Sequence, residues 1–284
     1  MSDFYKEDCM CCGKKTSKKI FTFEMADTYI CENSCIFSVS KIDTNKLYTP
    51  EYFKNYYEEL VDDQTKMHKR LISFLKKYLN TGSVLDYGCG IGTFLFNLEK
   101  ESFKNNVGID VSEYSISIAE SKSSMSDFYT NRDLLEKKKF DCISFIDSIA
   151  HIEDINDLLS KLIKNNLNEN GVLLIRTPNI NNLYIWYARI IGYFLPRRFL
   201  SSLFFVPNRL FLFNEKSIVL FLEKHGLYIE ECYIEPEYKK ISSNISDRNY
   251  VKSLFVDFFR ITIPSILNKN NSITLISRLK NELP

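Results

Sequence analysis

The 284-residue sequence lacks a dominant charge: 37 Lys and Arg stand against 36 Asp and Glu, for a formal net charge of +1. That balance argues against a protein whose main work is gripping phosphate backbones. Long apolar runs are missing as well. The most apolar stretch, Leu183 to Phe213, is broken by Arg189, Pro196, Arg197, Arg198 and Arg209, so nothing approaches the ~18 apolar residues of a spanning helix. The opening residues, MSDFYKED, are acidic and polar and do not form a secretory signal. A soluble, cytoplasmic protein is the expectation. Histidine is scarce, which shortens any search for a general base to His68, His151 and His225. What is present is ordinary globular usage, 45% hydrophobic and 26% charged, which excludes wholesale disorder and coiled coil.

Cysteine is neither scarce nor evenly placed. Cys9, Cys11, Cys12, Cys31 and Cys35 crowd the first 35 residues, while Cys89, Cys142 and Cys232 are scattered. A reducing compartment keeps thiols free, so such clustering points to metal before disulfide. Cys9-x2-Cys12 and Cys31-x3-Cys35, with eighteen residues between the pairs, approach a treble-clef or ribbon zinc spacing. Gly13 permits the knuckle turn. The second pair is one residue longer than usual, and Cys11 is an alternative ligand to Cys12. Four sulfur ligands leave no open position, so zinc held by Cys9, Cys12, Cys31 and Cys35 would organise residues 1–41 and do no chemistry. Unligated thiols are the alternative.

Residues 42–80 read as a tyrosine-rich helical linker or lid. In MHKRLISFLKKYL the apolar positions Leu71, Ile72, Phe74, Leu75, Tyr78 and Leu79 mark one face of an amphipathic helix that Gly82 stops. His68, at its start, is expected in solvent. From Ser83 onward strands and helices alternate. SVLD, NNVGID, SDFYT, FDCISFI and GVLLIRT read as strands, with helices between them. The helical spacing of Ile155, Leu158, Leu159, Leu162, Ile163 and Leu167 runs to a turn at Asn170-Gly171. Short turns in a strand–helix alternation mean a parallel sheet wrapped by helices. After Pro178 an aromatic and basic insertion interrupts the rhythm. Asn214 then caps a helix that Gly226 stops, with His225 beside it as a dipole partner, and LYIEECYI and SITLISRL close as strands.

The informative string is VLDYGCGIGTF. Asp86 ends a strand, and Gly88, Gly90 and Gly92 make the turn into a helix. A dinucleotide fingerprint wants its third glycine at loop position six, where this chain has Thr93. A carboxylate two residues before the first glycine also repels a pyrophosphate and suits a ligand with an ammonium and a sulfonium. No Gly-Lys-Ser/Thr follows, so a phosphate loop is excluded too. Asp110 ends the next strand, 24 residues on, where a carboxylate can accept from both hydroxyls of a ribose.

DYGCGIG followed by GIDVS resembles the cofactor site of the class I S-adenosylmethionine-dependent methyltransferases. FDCISFIDSIAHIEDINDLLSKL and NGVLLIRTPN are similar to that family's fourth strand, fourth helix and fifth strand. PNRLFLFNEKSIVLFLEKHG resembles a later stretch of its bacterial sugar and small-molecule members. The resemblance covers about Tyr48 to Leu279. It implies an α/β, Rossmann-like fold with a seven-stranded, mostly parallel sheet and helices on both faces. That domain would span residues 81–284, with 179–213 as a helical cap insertion, preceded by the Cys-rich module. By the same resemblance Asp86, Cys89 and the Gly88, Gly90 and Gly92 backbone hold the cofactor's amino-acid end. Asp110 holds the ribose, Val111 packs on the adenine, Asp133 meets the adenine amino group, and Asp147 stands near the methyl-bearing sulfur.

Methyl transfer is an in-line displacement, and a hydroxyl acceptor must also lose its proton. His151, just past the fourth strand, is the candidate base. Two departures bear on it: the family often has Glu-His where this chain has Ala150-His151, and Pro-x-His where it has Pro207-Asn208-Arg209. The acceptor side is expected from Tyr56 and Tyr57 of the lid and from Arg189 and Arg209 of the insertion. The resemblance implies a small-molecule acceptor, most plainly a saccharide hydroxyl, free or lipid-linked. A peripheral membrane contact through the insertion stays open. N- or C-methylation is the rival within enzymes, and an inactive adaptor that binds partners is the rival outside them. Three loop glycines and two acids speak against the adaptor. Nucleic acid is not expected as substrate, since no Asn/Asp-Pro-Pro-Tyr/Phe motif is present.

Overall fold

A computed structural model describes residues 4–5, 8–14, 17–43, 49, 61–135, 138–180, 209–235 and 272–280. The cysteine-rich head is a meander: β1 (Phe4–Tyr5), β2 (Ser17–Thr22), β3 (Ala26–Cys31) and β4 (Ile36–Ser40) pair antiparallel in sequence order. Helix α1 (Val61–Leu75) follows. The alternation then runs β5 (Val84–Tyr87), α2 (Thr93–Glu99), β6 (Val107–Ile109), α3 (Glu113–Lys122), β7 (Asp127–Tyr129), β8 (Phe140–Ile146), α4 (Ile155–Asn166) and β9 (Leu167–Pro178). The chain closes with β10 (Phe211–Leu212), α5 (Glu215–Lys224), β11 (Leu227–Glu235) and β12 (Ser272–Leu279).

Strand order in the large sheet is β11-β12-β9-β8-β5-β6-β7. The five strands β9, β8, β5, β6 and β7 are mutually parallel, and β12 and β11 join antiparallel at one edge. The order reverses between β5 and β8, which is where the connection rule for open α/β sheets puts a ligand crevice. Both faces are covered. Val84, Leu174 and Ile276 point toward α1, α2 and α3 and pack with Leu71, Phe94 and Ile116. Leu85, Ile143, Leu173 and Ile175 point to the opposite face and pack with Leu158, Leu159, Ile218 and Phe221 from α4 and α5. Short buried strands rich in Val, Ile and Leu are what a doubly covered parallel sheet requires.

The head is tied to this framework. Strand β10 belongs to the head's sheet, with Phe211 and Leu212 opposite Phe37 and Ile36 of β4. The Asn156 side chain donates to the Met10 carbonyl at 3.0 Å, and that of Asn214 to the Ser34 carbonyl at 3.3 Å. Cys9, Cys11, Cys31, Cys35 and Phe37 share one hydrophobic cluster with Phe211, Phe213 and Phe221.

Three sequence expectations are corrected. Helix α4 ends at Asn166, and Leu167 already pairs with Phe140, so Asn170-Gly171 lies inside β9 beside a register irregularity. The neighbouring strand's hydrogen bonds outweigh the helical spacing of Leu167. His68 is buried at 6% exposure, because it precedes Leu71 and Ile72 by three and four residues and so falls on the apolar face of α1. His225 does follow α5, but burial and the adjacent Lys224 push its pKa down to about 4. A neutral ring cannot serve as a cationic dipole partner; instead it bridges to Ser160 Oγ and Asn156 Oδ1, each at 3.1 Å. The α5 start matches expectation: Asn214 and Ser217 form a reciprocal capping box.

Candidate active site and cysteine cluster

The glycine turn between β5 and α2 is left-handed at three places, with φ of +81° at Gly88, +53° at Gly90 and +77° at Gly92. At Gly88 an added Cβ would come within 2.4 Å of Ser148 Cβ, so only glycine fits there. Four of the loop's N–H groups are bonded inside the protein. Gly88 and Cys89 donate to the Ile109 carbonyl at 2.7 and 2.9 Å, Gly90 donates to Asp110 Oδ2 at 2.8 Å, and Gly92 to the Cys89 carbonyl at 3.0 Å. A phosphate cradle needs such N–H groups directed outward. The Cys89 side chain packs beneath the loop in the core and occupies space next to Gly108.

Two carboxylates flank this turn. Asp86 is 2% exposed, and its Oδ1 accepts from Ser144 Oγ at 2.7 Å. Loss of solvent raises its pKa to about 7 against the Ser144 hydrogen bond, and the charge of Asp110 adds to the rise. Asp110 is buried as well, and desolvation raises its pKa although Ser112 and Gly90 N–H groups stabilise its charge. A carboxylate has about four lone-pair sites, so each Asp110 oxygen retains acceptor capacity. Val111, next in the chain, is exposed at 55%. Asp133 sits exposed in a 3-10 turn, Arg132–Leu135, after β7.

At the end of β8, Asp147 adopts φ +56° and Ser148 donates its hydroxyl to the Tyr87 carbonyl at 2.5 Å. A 3-10 turn, Ile149–His151, follows and carries a half-buried His151. Leu210 N–H donates to the Ala150 carbonyl at 2.8 Å, which brings the Arg209–Leu210 backbone against the His151 turn. Tyr48, Tyr56, Tyr57, Trp186 and Arg189 lie outside the described residues. Two polar residues that the sequence reading did not assign to the site also gather here. Arg176 of β9 is 6% exposed and pairs with Asp147 through its guanidinium. His68 of α1 lies within electrostatic reach of Arg176, edge-on to Phe94. The signals existed: Arg176 falls on the same strand parity as Val172 and Leu174, and His68 on the apolar stripe.

In the head, the Sγ atoms of Cys9, Cys12, Cys31 and Cys35 all lie within 4.8 Å of one another. Those of Cys12 and Cys31 are 3.7 Å apart. A tetrahedral zinc with bonds of about 2.3 Å separates its sulfurs by about 3.8 Å. Hydrogen bonds from the Cys11, Cys31 and Cys35 thiols draw the Cys9 thiol below its ordinary value. Four sulfurs this close cannot all ionise without a cation between them, and thiolates are what a metal binds. The geometry therefore fits a metal site.

Among the described residues no helix is long and apolar enough to cross a membrane. No curated protein matched the sequence. Solved structures share the fold at low identity. A sarcosine dimethylglycine methyltransferase, so titled as putative, from Galdieria sulphuraria superposes with TM-score 0.56 at 14% identity, covering 84% of this chain and 98% of that one. A protein titled a putative methyltransferase, in complex with the Trm112 methyltransferase activator of Haloferax volcanii, gives TM-score 0.55 at 11% identity, over 86% and 100%. A Clostridium acetobutylicum S-adenosylmethionine-dependent methyltransferase gives 0.51 at 16%, over 81% and 99%. The family model described as a methyltransferase domain matches residues 60–231, more than half of the sequence. With the acidic glycine turn and the switch point it occupies, this match makes the chain a member of the methyltransferase-domain family, a class I S-adenosylmethionine-dependent methyltransferase.

Proposed function

We propose that the chain methylates a hydroxyl of a saccharide or a related small metabolite, with His151 accepting the hydroxyl's proton. When bound, the cofactor supplies an activated methyl group on a sulfonium. Asp86 presents its carboxylate to the ammonium end beside the Gly88, Gly90 and Gly92 backbone and that of Cys89. Asp110 offers its remaining lone pairs to the ribose, Val111 gives the adenine an apolar surface, Asp133 meets the adenine amino group, and Asp147 stands at the methyl-bearing end. Arg209, together with Tyr56, Tyr57 and Arg189, is assigned to the acceptor side. Cys9, Cys12, Cys31 and Cys35 hold a structural zinc. Residues 1–41, 42–80 and 81–284 act as head, lid and catalytic domain in the cytoplasm.

The observation that carries the acceptor reading is the position of the His151 turn. It begins at Ser148, the residue whose side chain fills the space that Gly88 leaves open. A base is thereby held one short turn from the cofactor loop. A hydroxyl needs one, since its proton must leave as the carbon–oxygen bond forms.

The test begins with calorimetric titration of S-adenosylhomocysteine. Labelled methyl transfer to methyl glycosides and nucleotide-linked hexoses follows, in parallel with an amine panel. His151→Gln is expected to lower turnover by about 10²–10⁴-fold while leaving S-adenosylhomocysteine affinity unchanged. Methylation confined to the amine panel would end the hydroxyl reading.

A further inference from the structure

A group of buried polar atoms lies at the carboxyl edge of the large sheet, beneath α1, without hydrogen-bond partners among the described residues. These are His68 Nδ1, Asp147 Oδ1, Arg176 Nε and Thr274 Oγ1. Arg176 joins them. Its guanidinium pairs with Asp147 and donates to Ser272 Oγ at 2.9 Å, its residue stands opposite Thr274 in the β9–β12 register, and His68 feels its charge. The cluster has one face. Leu174 and Ile276, two residues away on each strand, pack in the same core as Leu71 and Ile72 of α1, and side chains two apart on a strand share a side. His68 precedes that pair by one helical turn.

Buried polar groups are nearly always paired, because leaving one unpaired costs its full desolvation. Nine buried side-chain atoms among the described residues lack a hydrogen-bond partner, and four of them gather in one place: Arg176 Nε and, around its guanidinium, atoms of His68, Asp147 and Thr274 from three other chain segments. Their place is informative: β8 neighbours β5, and β9 neighbours β8, so the cluster sits two strand spacings, about 10 Å, from the glycine turn. We propose that His68, Asp147, Arg176 and Thr274 form the acceptor subsite and receive a neutral vicinal diol, such as two adjacent hydroxyls of a sugar ring. This rests on the saccharide reading above and adds to it the residues that select the acceptor.

The chemistry favours hydroxyls over an anion. Arg176 is already balanced by Asp147, and burial, followed by the Arg176 charge, lowers the His68 pKa to about 3, so the ring is neutral at physiological pH. The cluster has no surplus charge with which to draw a phosphate or carboxylate into a desolvated site. A hydroxyl both donates and accepts. One hydroxyl accepts from Arg176 Nε–H while donating to Asp147 Oδ1; its neighbour bonds His68 Nδ1 and Thr274 Oγ1.

The test uses the full chain with His68→Phe and Thr274→Val, each of which removes an unpaired polar atom and keeps the bulk of the side chain. Without ligand, each variant is expected to melt about 2–4 °C higher than the wild type, since a buried unpaired group has been removed. S-adenosylhomocysteine affinity should stay within about twofold. Binding of methyl glycosides and uridine diphosphate glucose, added to the S-adenosylhomocysteine-saturated protein, should weaken by about tenfold. His68→Gln, which can again donate and accept, should recover part of the loss. Lower melting temperatures in both variants would make these residues structural and overturn the proposal. A large loss of S-adenosylhomocysteine affinity would move them to the cofactor side and overturn it equally. If no glycoside binds the wild type, the saccharide reading and this subsite fail together; if glycosides bind the wild type and both variants equally, the saccharide reading stands and this subsite alone is overturned.

Discussion

Replacing Asp86 by asparagine should make the ligand-free protein more stable and the cofactor complex weaker, with both effects set by pH. In the fold, burial lifts the Asp86 carboxyl from 3.8 to about 7. Between those values the native chain holds a proton that the unfolded chain has released. The associated stability is complete below pH 4, is lost as pH rises to 7, and changes no further above it. Three pH units at 1.36 kcal/mol each give a loss of about 4 kcal/mol. A domain commonly has 5–15 kcal/mol in all, so the effect is measurable. The substituted amide can still accept from Ser144 Oγ but has nothing to ionise. Urea unfolding followed by circular dichroism from pH 4.5 to 8 should show Asp86→Asn gaining on the wild type by up to about 4 kcal/mol. An ammonium arriving beside Asp86 reverses the cost. S-adenosylhomocysteine should therefore bind the wild type more tightly as pH rises to 7, releasing close to one proton at pH 6, whereas Asp86→Asn should bind weakly and without that slope. A stability difference that is flat with pH would refute the raised carboxyl. Equal affinity at pH 8 would remove Asp86 from the cofactor site.

Three other perturbations have defined outcomes. Asp110→Ala should weaken S-adenosylhomocysteine binding by about 1–3 kcal/mol, through the lost charge-assisted bonds and the released Gly90 N–H; unchanged affinity by calorimetry would exclude Asp110. Gly88→Ala forces a Cβ into Ser148 at a left-handed position and should cost about 2–4 kcal/mol in urea unfolding. A Gly88→Ala protein as stable as the wild type would show that the turn is not built this way. Elemental analysis should find close to one zinc per chain, and chelation should lower the melting temperature because the head shares β10 and the Asn156–Met10 bond with the catalytic framework; a metal-free protein with the same melting temperature would end the zinc assignment.

How far the sequence could be read is visible element by element. The strand–turn–helix at Val84–Glu99 and the two terminal strands follow from local pattern, because glycine spacing and short apolar runs admit few other conformations. The Cys9, Cys12, Cys31 and Cys35 quartet followed from spacing even with its irregular second pair, since β3 and the tight turn to β4 bring Cys31 and Cys35 together. Local pattern misled at Leu167, whose helical spacing was outweighed by pairing with Phe140. It also misled at His68, expected in solvent, and at His225, expected as a partner of the helix dipole; burial made both rings neutral.

The sequence by itself determined the order of elements, the acidic glycine turn and the class of cofactor chemistry, because these depend on neighbours within a few residues. Only the tertiary structure decided what lies between distant segments. It joined β10 to the head's sheet, set Ser148 into the space at Gly88, and gathered His68, Asp147, Arg176 and Thr274 from separate parts of the chain. Burial and charge at such junctions depend on which surfaces meet, and no local spacing encodes that.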